Sequence, residues 1–434
     1  MLNNNQEEQL VQLLIDRINA LNEDILEIIG NRIKEIGEMT PTQIHQINQM
    51  LMYNTDIKKI VEKLAEVSGM NVNDIYSLFE YSAKTNQDFA RQFYKARGIS
   101  YIPYAQNKAL KEQIRAIAEI TAKEYANISR TSAIGYTVKD LKGNLVFKDI
   151  SSTYKDIIDK AILNVGQGKT TYQQEMRKAI KQIGQSGLKT LDYESGRSMR
   201  LDSAIRMNVL DGMRSLNNQL QEQFGEEFDY NMIQISHHTA PAVDHSTNNI
   251  AKGQYDIDGH QFAKIDILKQ QILNGTEKNI KLEDIQGNRV KVNGKWYYDY
   301  DYINNLLNRQ ISTLNCRHYI FPGILGISKP LYSEEQLNKD KEDNIKGFEL
   351  DGRHYTKYEA SQLLRKIERT IRKDKDIQIL AKSSGDKDLT LQMQTNITQL
   401  TTKYRQICKI SGLPNQLKTR GSVSGYRRIK IEKM

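Results

Sequence analysis

Val290-Lys291-Val292-Asn293-Gly294-Lys295-Trp296-Tyr297-Tyr298 sets two β-prone runs on either side of Asn-Gly. Both turn residues tolerate the positive φ of a type I′ turn, so the stretch predicts a tight hairpin in a chain that otherwise reads as helix. Upstream, residues 230–236 are β-branched and aromatic and predict a strand. Residues 228–327 therefore read as a compact α+β module.

Outward from this module the period changes from two to three or four. Val11, Leu14, Ile18, Leu21, Ile25 and Ile28 form one helical stripe, too short for a long coiled coil, so an intramolecular helical hairpin fits as well as an oligomer seam. Thr40-Pro41-Thr42-Gln43 combines a cap, a first-turn proline and a capping-box glutamine, which predicts another helix start. Amphipathic segments follow at 56–67, 72–83, 107–128, 152–163, 172–183 and 199–224. One short hairpin is expected between them, with Tyr136-Thr137-Val138 and Leu145-Val146-Phe147 flanking Lys142-Gly143-Asn144.

Beyond Ser333, Ala360, Leu363, Leu364, Ile367 and Ile371 form a stripe, and Leu389, Met393, Ile397, Leu400, Tyr404 and Ile407 form another. Gly412 and Pro414 are stop signals. Only six prolines occur in 434 residues, which favours long helices. The expected fold is mainly α with a central α+β module: long N-terminal helices, small hairpins, C-terminal helices and a basic tail. Three regions are expected: a helical 1–190, an α+β 191–330, and a helical 331–434 ending in the tail.

No apolar run reaches the roughly 18–20 residues that span a bilayer. The polar, acidic first ten residues lack the layout of a secretion signal, so synthesis in a cytosol is expected. Two cysteines, Cys316 and Cys408, make no disulfide framework. Nearly all of the net charge of +9 sits in residues 401–434, where nine basic residues face one acidic. Arg420, Arg427, Arg428 and Lys430 are the expected contacts to DNA or to an acidic partner.

Five of the seven histidines lie between His237 and His318: these two with His238, His245 and His260. His238, Asp244, His245, Cys316 and His318 offer the imidazole, carboxylate and thiolate donors that zinc uses, although the spacing matches no zinc finger. Such groups equally brace a loop-rich module by hydrogen bonding one another, and both readings stand. Cys316 with His238 or His245 also makes a nucleophile pair conceivable. Gly166-Gln167-Gly168-Lys169-Thr170 fails as a phosphate-binding loop, because Leu163 stands where that loop needs glycine. Arg365, Arg369 and Arg372 read as a solvated basic face with pairs such as Glu368 to Arg372.

Leu314-Asn315-Cys316-Arg317-His318-Tyr319-Ile320-Phe321-Pro322-Gly323-Ile324-Leu325-Gly326-Ile327-Ser328, followed by Tyr332, resembles the phage minor capsid protein 2 family, which is related to head-morphogenesis proteins of tailed phages. Ser236-His237-His238 with His245 resembles a second motif of that family, as does Tyr358-Glu359-Ala360-Ser361-Gln362 leading into Arg365, Glu368 and Ile371-Arg372-Lys373. Pro241-Ala242-Val243 departs from the usual Ala-Arg-Pro, and Lys252-Gly253-Gln254 stands near the place of Trp-Gln-Gly. The resemblance covers about 191–425. It implies a structural, non-enzymatic virion protein of the phage head, assembled in the bacterial host cytoplasm beside the portal and other head proteins. It also implies a role in head morphogenesis and in genome packaging or delivery; non-specific contact to packaged DNA is expected from the basic tail. No cofactor is required on this reading, and structural zinc is the candidate. The alternative reading is a metal-dependent hydrolase or nuclease using the same His, Asp and Cys cluster.

Overall fold

A computed structural model describes residues 4–38, 58–60, 62–63, 72–97, 100–128, 134–139, 143–150, 152–153, 156, 172–191, 198–227, 229–238, 240–311, 316 and 318–417. The helix start at Thr40-Pro41 and most of segments 56–67 and 152–163 lie outside these residues. So do the Gly166–Thr170 loop and the tail bearing Arg420, Arg427, Arg428 and Lys430. The described chain is mostly helical with small antiparallel sheets. It forms two compact units. One comprises Met1–Asn4, Ser77–Ile117 and Asp211–Gln362; the other comprises Asn5–Tyr76, Ala118–Leu210 and Leu363–Met434.

The second unit is built on long helices. In α1 (Asn4–Glu38) the predicted stripe is buried at Val11, Leu14, Ile18, Leu21 and Ile25. Ile15, Leu26, Ile29 and Ile33 are buried as well, so the helix is enclosed over more than one narrow seam. Helix α2, Val72–Arg97, belongs mostly to the first unit, and α3, Lys108–Ile128, is divided between the two at Ile117. The Asn107 side chain caps α3 by accepting from the Leu110 N–H at 3.0 Å. The predicted first hairpin forms from β1 (Ile134–Lys139) and β2 (Leu145–Asp149). Beyond α4 (Tyr172–Ser186), strands β3 (Lys189–Leu191) and β4 (Ser198–Arg200) complete a four-stranded sheet in the order β2-β1-β3-β4.

Helix α5 runs Leu201–Glu227. The second unit closes with α9 (Lys357–Ser383) and α10 (Lys387–Ser411), and the left-handed Gly412 ends α10 as its position after the last apolar residue predicts. Arg372 and Glu368 on α9 do not form the solvated face read from their spacing. Arg372 turns inward to Asp202, and Glu368 accepts the Tyr404 hydroxyl at 2.8 Å.

Helices α4 and α9 meet at Gly184. A Cβ there would stand 2.5 Å from Ile377 Cγ1 and 2.8 Å from the Ile377 backbone nitrogen. Alanine would gain ~1 kcal/mol of helix propensity, but a backbone atom cannot yield as a side-chain tip can. Gly184→Ala is expected to destabilise by about 1–3 kcal/mol, read as a lower urea midpoint; an unchanged midpoint would refute the close contact.

The first unit holds the α+β module. Strand β5 (Met232–Ile235) is central in the order β10-β5-β6, between β6 (Gln261–Ala263) and β10 (Ile320–Gly323). Its side chains alternate between two cores. Ile233 and Ile235 join Phe262, Ile257, Ile303 and Ile320 on one face, while Met232 joins Ile265, Leu268, Val290 and Leu325 on the other. Helices α6 (Ile265–Leu273) and α7 (Tyr300–Leu306) cover the module. A second sheet, β7-β8-β9, uses Ile285–Gln286, Arg289–Val292 and Lys295–Tyr298. Its two-residue turn has φ 51° at Asn293 and 82° at Gly294, as the Asn-Gly signal requires. Helix α8 (Glu334–Lys346), capped by Ser333, and the hairpin β11 (Phe348–Leu350) with β12 (Arg353–Tyr355) follow.

Candidate metal centre

Three chain segments converge where β5 and β10 pair. Ser236 at the end of β5 donates its N–H to the Tyr319 carbonyl, and its hydroxyl accepts the Tyr319 N–H, both at 2.9 Å. That clamp sets His237 and His238 on one side, with Cys316 and His318 on the other. The loop at Asp258-Gly259 is held by Gln234, whose buried amide donates to the Gly259 carbonyl at 2.7 Å. Gly259 has φ +74°, a conformation that strains any other residue, and a Cβ there would also press on the tip of Leu337 at 2.5 Å. His245 arrives on the short helical turn Val243–His245.

His245, Cys316 and His318 are 0, 1 and 3% exposed. Their nearest donor atoms are His245 Nδ1 and His318 Nδ1 at 3.3 Å, Cys316 Sγ and His318 Nδ1 at 3.3 Å, and Cys316 Sγ and His245 Nδ1 at 3.7 Å. With Zn–N near 2.0–2.1 Å and Zn–S near 2.3 Å, two ligands of a tetrahedral ion lie about 3.3 Å apart for N and N and about 3.6 Å apart for N and S. The three side chains therefore stand at zinc-ligand spacing and can hold a metal ion.

The far nitrogens of both rings are anchored. His245 Nε2 lies 2.8 Å from the Arg309 carbonyl, which only accepts, so Nε2 carries a proton and Nδ1 of the neutral ring presents a lone pair to the cluster. His318 Nε2 lies 3.0 Å from Asp258 Oδ1. This is the carboxylate–histidine arrangement that orients metal-binding imidazoles and raises their basicity.

Asp258 also binds His237 Nδ1 at 2.5 Å and the His238 N–H at 2.8 Å, while His237 Nε2 reaches Asp340 on α8 at 2.9 Å. Burial raises the Asp258 carboxyl, but hydrogen bonds from His237 and His318 outweigh it and hold the group down to about 2. Burial likewise pushes the Cys316 thiol up; His245 and His318 overcome that and bring it to about 5. His318 is lowered by burial yet raised to about 9 by Asp258 and the Cys316 sulfur. At neutral pH the cluster by itself is thus a thiolate beside an imidazolium, and a metal ion bound there would displace a proton.

Of the residues picked from sequence, His245, Cys316 and His318 come together. His238 lies against them, its ring edge-on to His318 with centroids 4.5 Å apart. Asp244 is turned away to Arg309, with Oδ1 3.0 Å from Nη2, and its other oxygen is 3.8 Å from His245 Nε2. Sequence reasoning passed over Asp258, the hub of the network. Its only sequence signal was an Asp-Gly turn two residues before His260.

Asp258→Asn removes the charge that supports His318 and His237. Zinc affinity, measured by chelator competition, is expected to fall about 10–100-fold; parental affinity would rule out the supporting role.

The sequence matches the family described as phage minor capsid protein 2 over residues 2–409. Comparison with curated proteins and with solved structures yields no match.

Proposed function

The chain belongs to the phage minor capsid protein 2 family, and from that membership we propose that it is built into the head of a tailed phage beside the portal, where it acts in head morphogenesis and in genome packaging or delivery. The match over nearly the whole chain carries this reading. The fold is compatible with it: long helices offer docking faces, and no described helix is long and apolar enough to cross a membrane. Mass spectrometry of gradient-purified proheads and mature particles is expected to find the chain with the portal protein at low copy. Its absence from both particles would overturn the placement.

Within that role the buried cluster holds a structural zinc ion that ties the end of β5, the Val243–His245 turn and the start of β10 together. The burial of all three donors supports architecture over catalysis, because a hydrolytic metal needs a position that water and substrate can reach. The competing hydrolase or nuclease reading requires His245. DNA or polymer hydrolysis by the purified chain that disappears in His245→Ala, with the fold intact, would favour it instead.

A further inference from the structure

The hairpin β8–β9 has two unlike faces. Val290 and Val292 point into the core. Alternation turns Arg289, Lys291, Trp296 and Tyr298 to the opposite face, where the register sets Lys291 across from Trp296 and Arg289 across from Tyr298. The Arg289 guanidinium lies 4.3 Å from the centre of the Trp296 ring, and the Lys291 ammonium 5.9 Å from it. Tyr298 is 37% exposed, with its ring meeting Tyr255 edge-on.

Charge pairing separates this face from its surroundings. Neighbouring Lys295 and Lys264 are bound to Glu334 and Asp301 at 2.7 Å. Neither Arg289 nor Lys291 makes an ion pair among the described residues. Two unpaired cations thus lie against the only tryptophan of the chain.

We infer that this face binds the phosphodiester backbone of a nucleic acid without regard to sequence. A guanidinium stacked on an indole is held flat with its N–H edge free, the geometry that meets two phosphate oxygens at once. Lys291 adds a second charge on the same strip, and Tyr298 leaves ring surface for sugars and bases. Cations interleaved with aromatic rings engage both the charge and the π-faces of a nucleic acid. An acidic protein surface would use only the charges. The inference concerns the purified chain in solution and does not depend on its place in the head.

Because Trp296 is the sole tryptophan, the intrinsic emission of the full chain reports on this face alone. The chain is titrated with a short mixed-sequence DNA duplex, with the matching single strand, and with polyglutamate, at several salt concentrations. A saturable emission change with DNA is expected, weakening as salt rises. Arg289→Gln with Lys291→Gln is expected to weaken duplex binding about tenfold or more and to lower the slope of log affinity against log salt by about 2. Lys291 is exposed and Arg289 partly so, and neither joins the core, so the double variant should fold as the parent does. Its emission and melt are recorded first. The parent titration needs no variant to be informative. An emission that moves with polyglutamate and not with DNA would overturn the inference and give the face to an acidic protein. Parental affinity and slope in the double variant would overturn it too, placing the DNA contact elsewhere.

Discussion

The purified full chain is expected to carry one zinc ion per molecule, and Cys316→Ala to carry less than about a tenth of that when both are washed free of loose metal. The expectation rests on what the cluster would be without an ion. Two imidazole nitrogens 3.3 Å apart both face a sulfur, and a neutral His245 has its single proton engaged by the Arg309 carbonyl and none to give inward. A proton on His318 Nδ1 relieves the crowding partly; a divalent cation relieves it at all three atoms. Removing the thiolate takes away both a ligand and the negative charge that offsets the ion.

Binding to the folded state alone stabilises by about 4 kcal/mol when free zinc is a thousand times the dissociation constant. For a unit of this size that corresponds to roughly 8–16 °C in melting temperature. Chelator should therefore bring the parent down to the melting temperature of Cys316→Ala and leave the variant where it is. The pH dependence follows from the proton displaced. Asp258 and the Cys316 sulfur hold a proton on His318 that a bound zinc ion would displace, so affinity should fall as the medium is acidified. Below pH 5 the thiol competes as well, and the fall steepens. A parent that purifies without metal and ignores chelator would sink the zinc reading. The cluster would then be a thiolate–imidazolium pair bracing the loops.

What could be read in advance follows the range of the interactions. The hairpin at Asn293-Gly294, the strand through Ile233 and Ile235, and the stop at Gly412 were legible because φ preference and alternation act between neighbours. His245, Cys316 and His318 were legible as donors because their side chains are chemically unusual together. Asp258 was not, since an aspartate before glycine is an ordinary turn, and its importance comes from partners 21 and 60 residues away. Arg372 was misread for the same reason. Its spacing to Glu368 suits a helix-surface pair, yet its partner, Asp202, lies 170 residues distant on another element.

That distant pair yields the second large effect, in the helical unit. Asp202, in the first turn of α5, accepts from Arg372 Nη1 at 2.9 Å, from Arg200 Nε at 3.2 Å and from the Ser203 N–H at 2.8 Å. Arg200 continues to Asp376 at 2.9 Å, and Asn22 on α1 donates to the same carboxylate at 2.9 Å. Asp202 and Arg372 are 3 and 7% exposed, so neither charge has water to fall back on. Asp202→Ala leaves Arg372 buried without this carboxylate and is expected to cost about 3–5 kcal/mol.

Replacing both partners, Asp202→Leu with Arg372→Met, removes two desolvation penalties together and should come within about 1 kcal/mol of the parent or exceed it. Acid should mimic the single substitution. Burial raises the Asp202 carboxyl, but Arg200 and Arg372 outweigh it and hold the group below its ordinary value. The unfolded chain thus takes up this proton first, at about pH 3.9. The contribution of Asp202 is therefore complete above that pH and is lost as pH falls through the lower folded value. Denaturant titrations should show the gap between parent and Asp202→Ala constant from neutral pH to about 5, then closing below about 4. A gap that stays open in acid, or a double variant as weak as the single, would mean that Asp202 stabilises by packing and not by its charge.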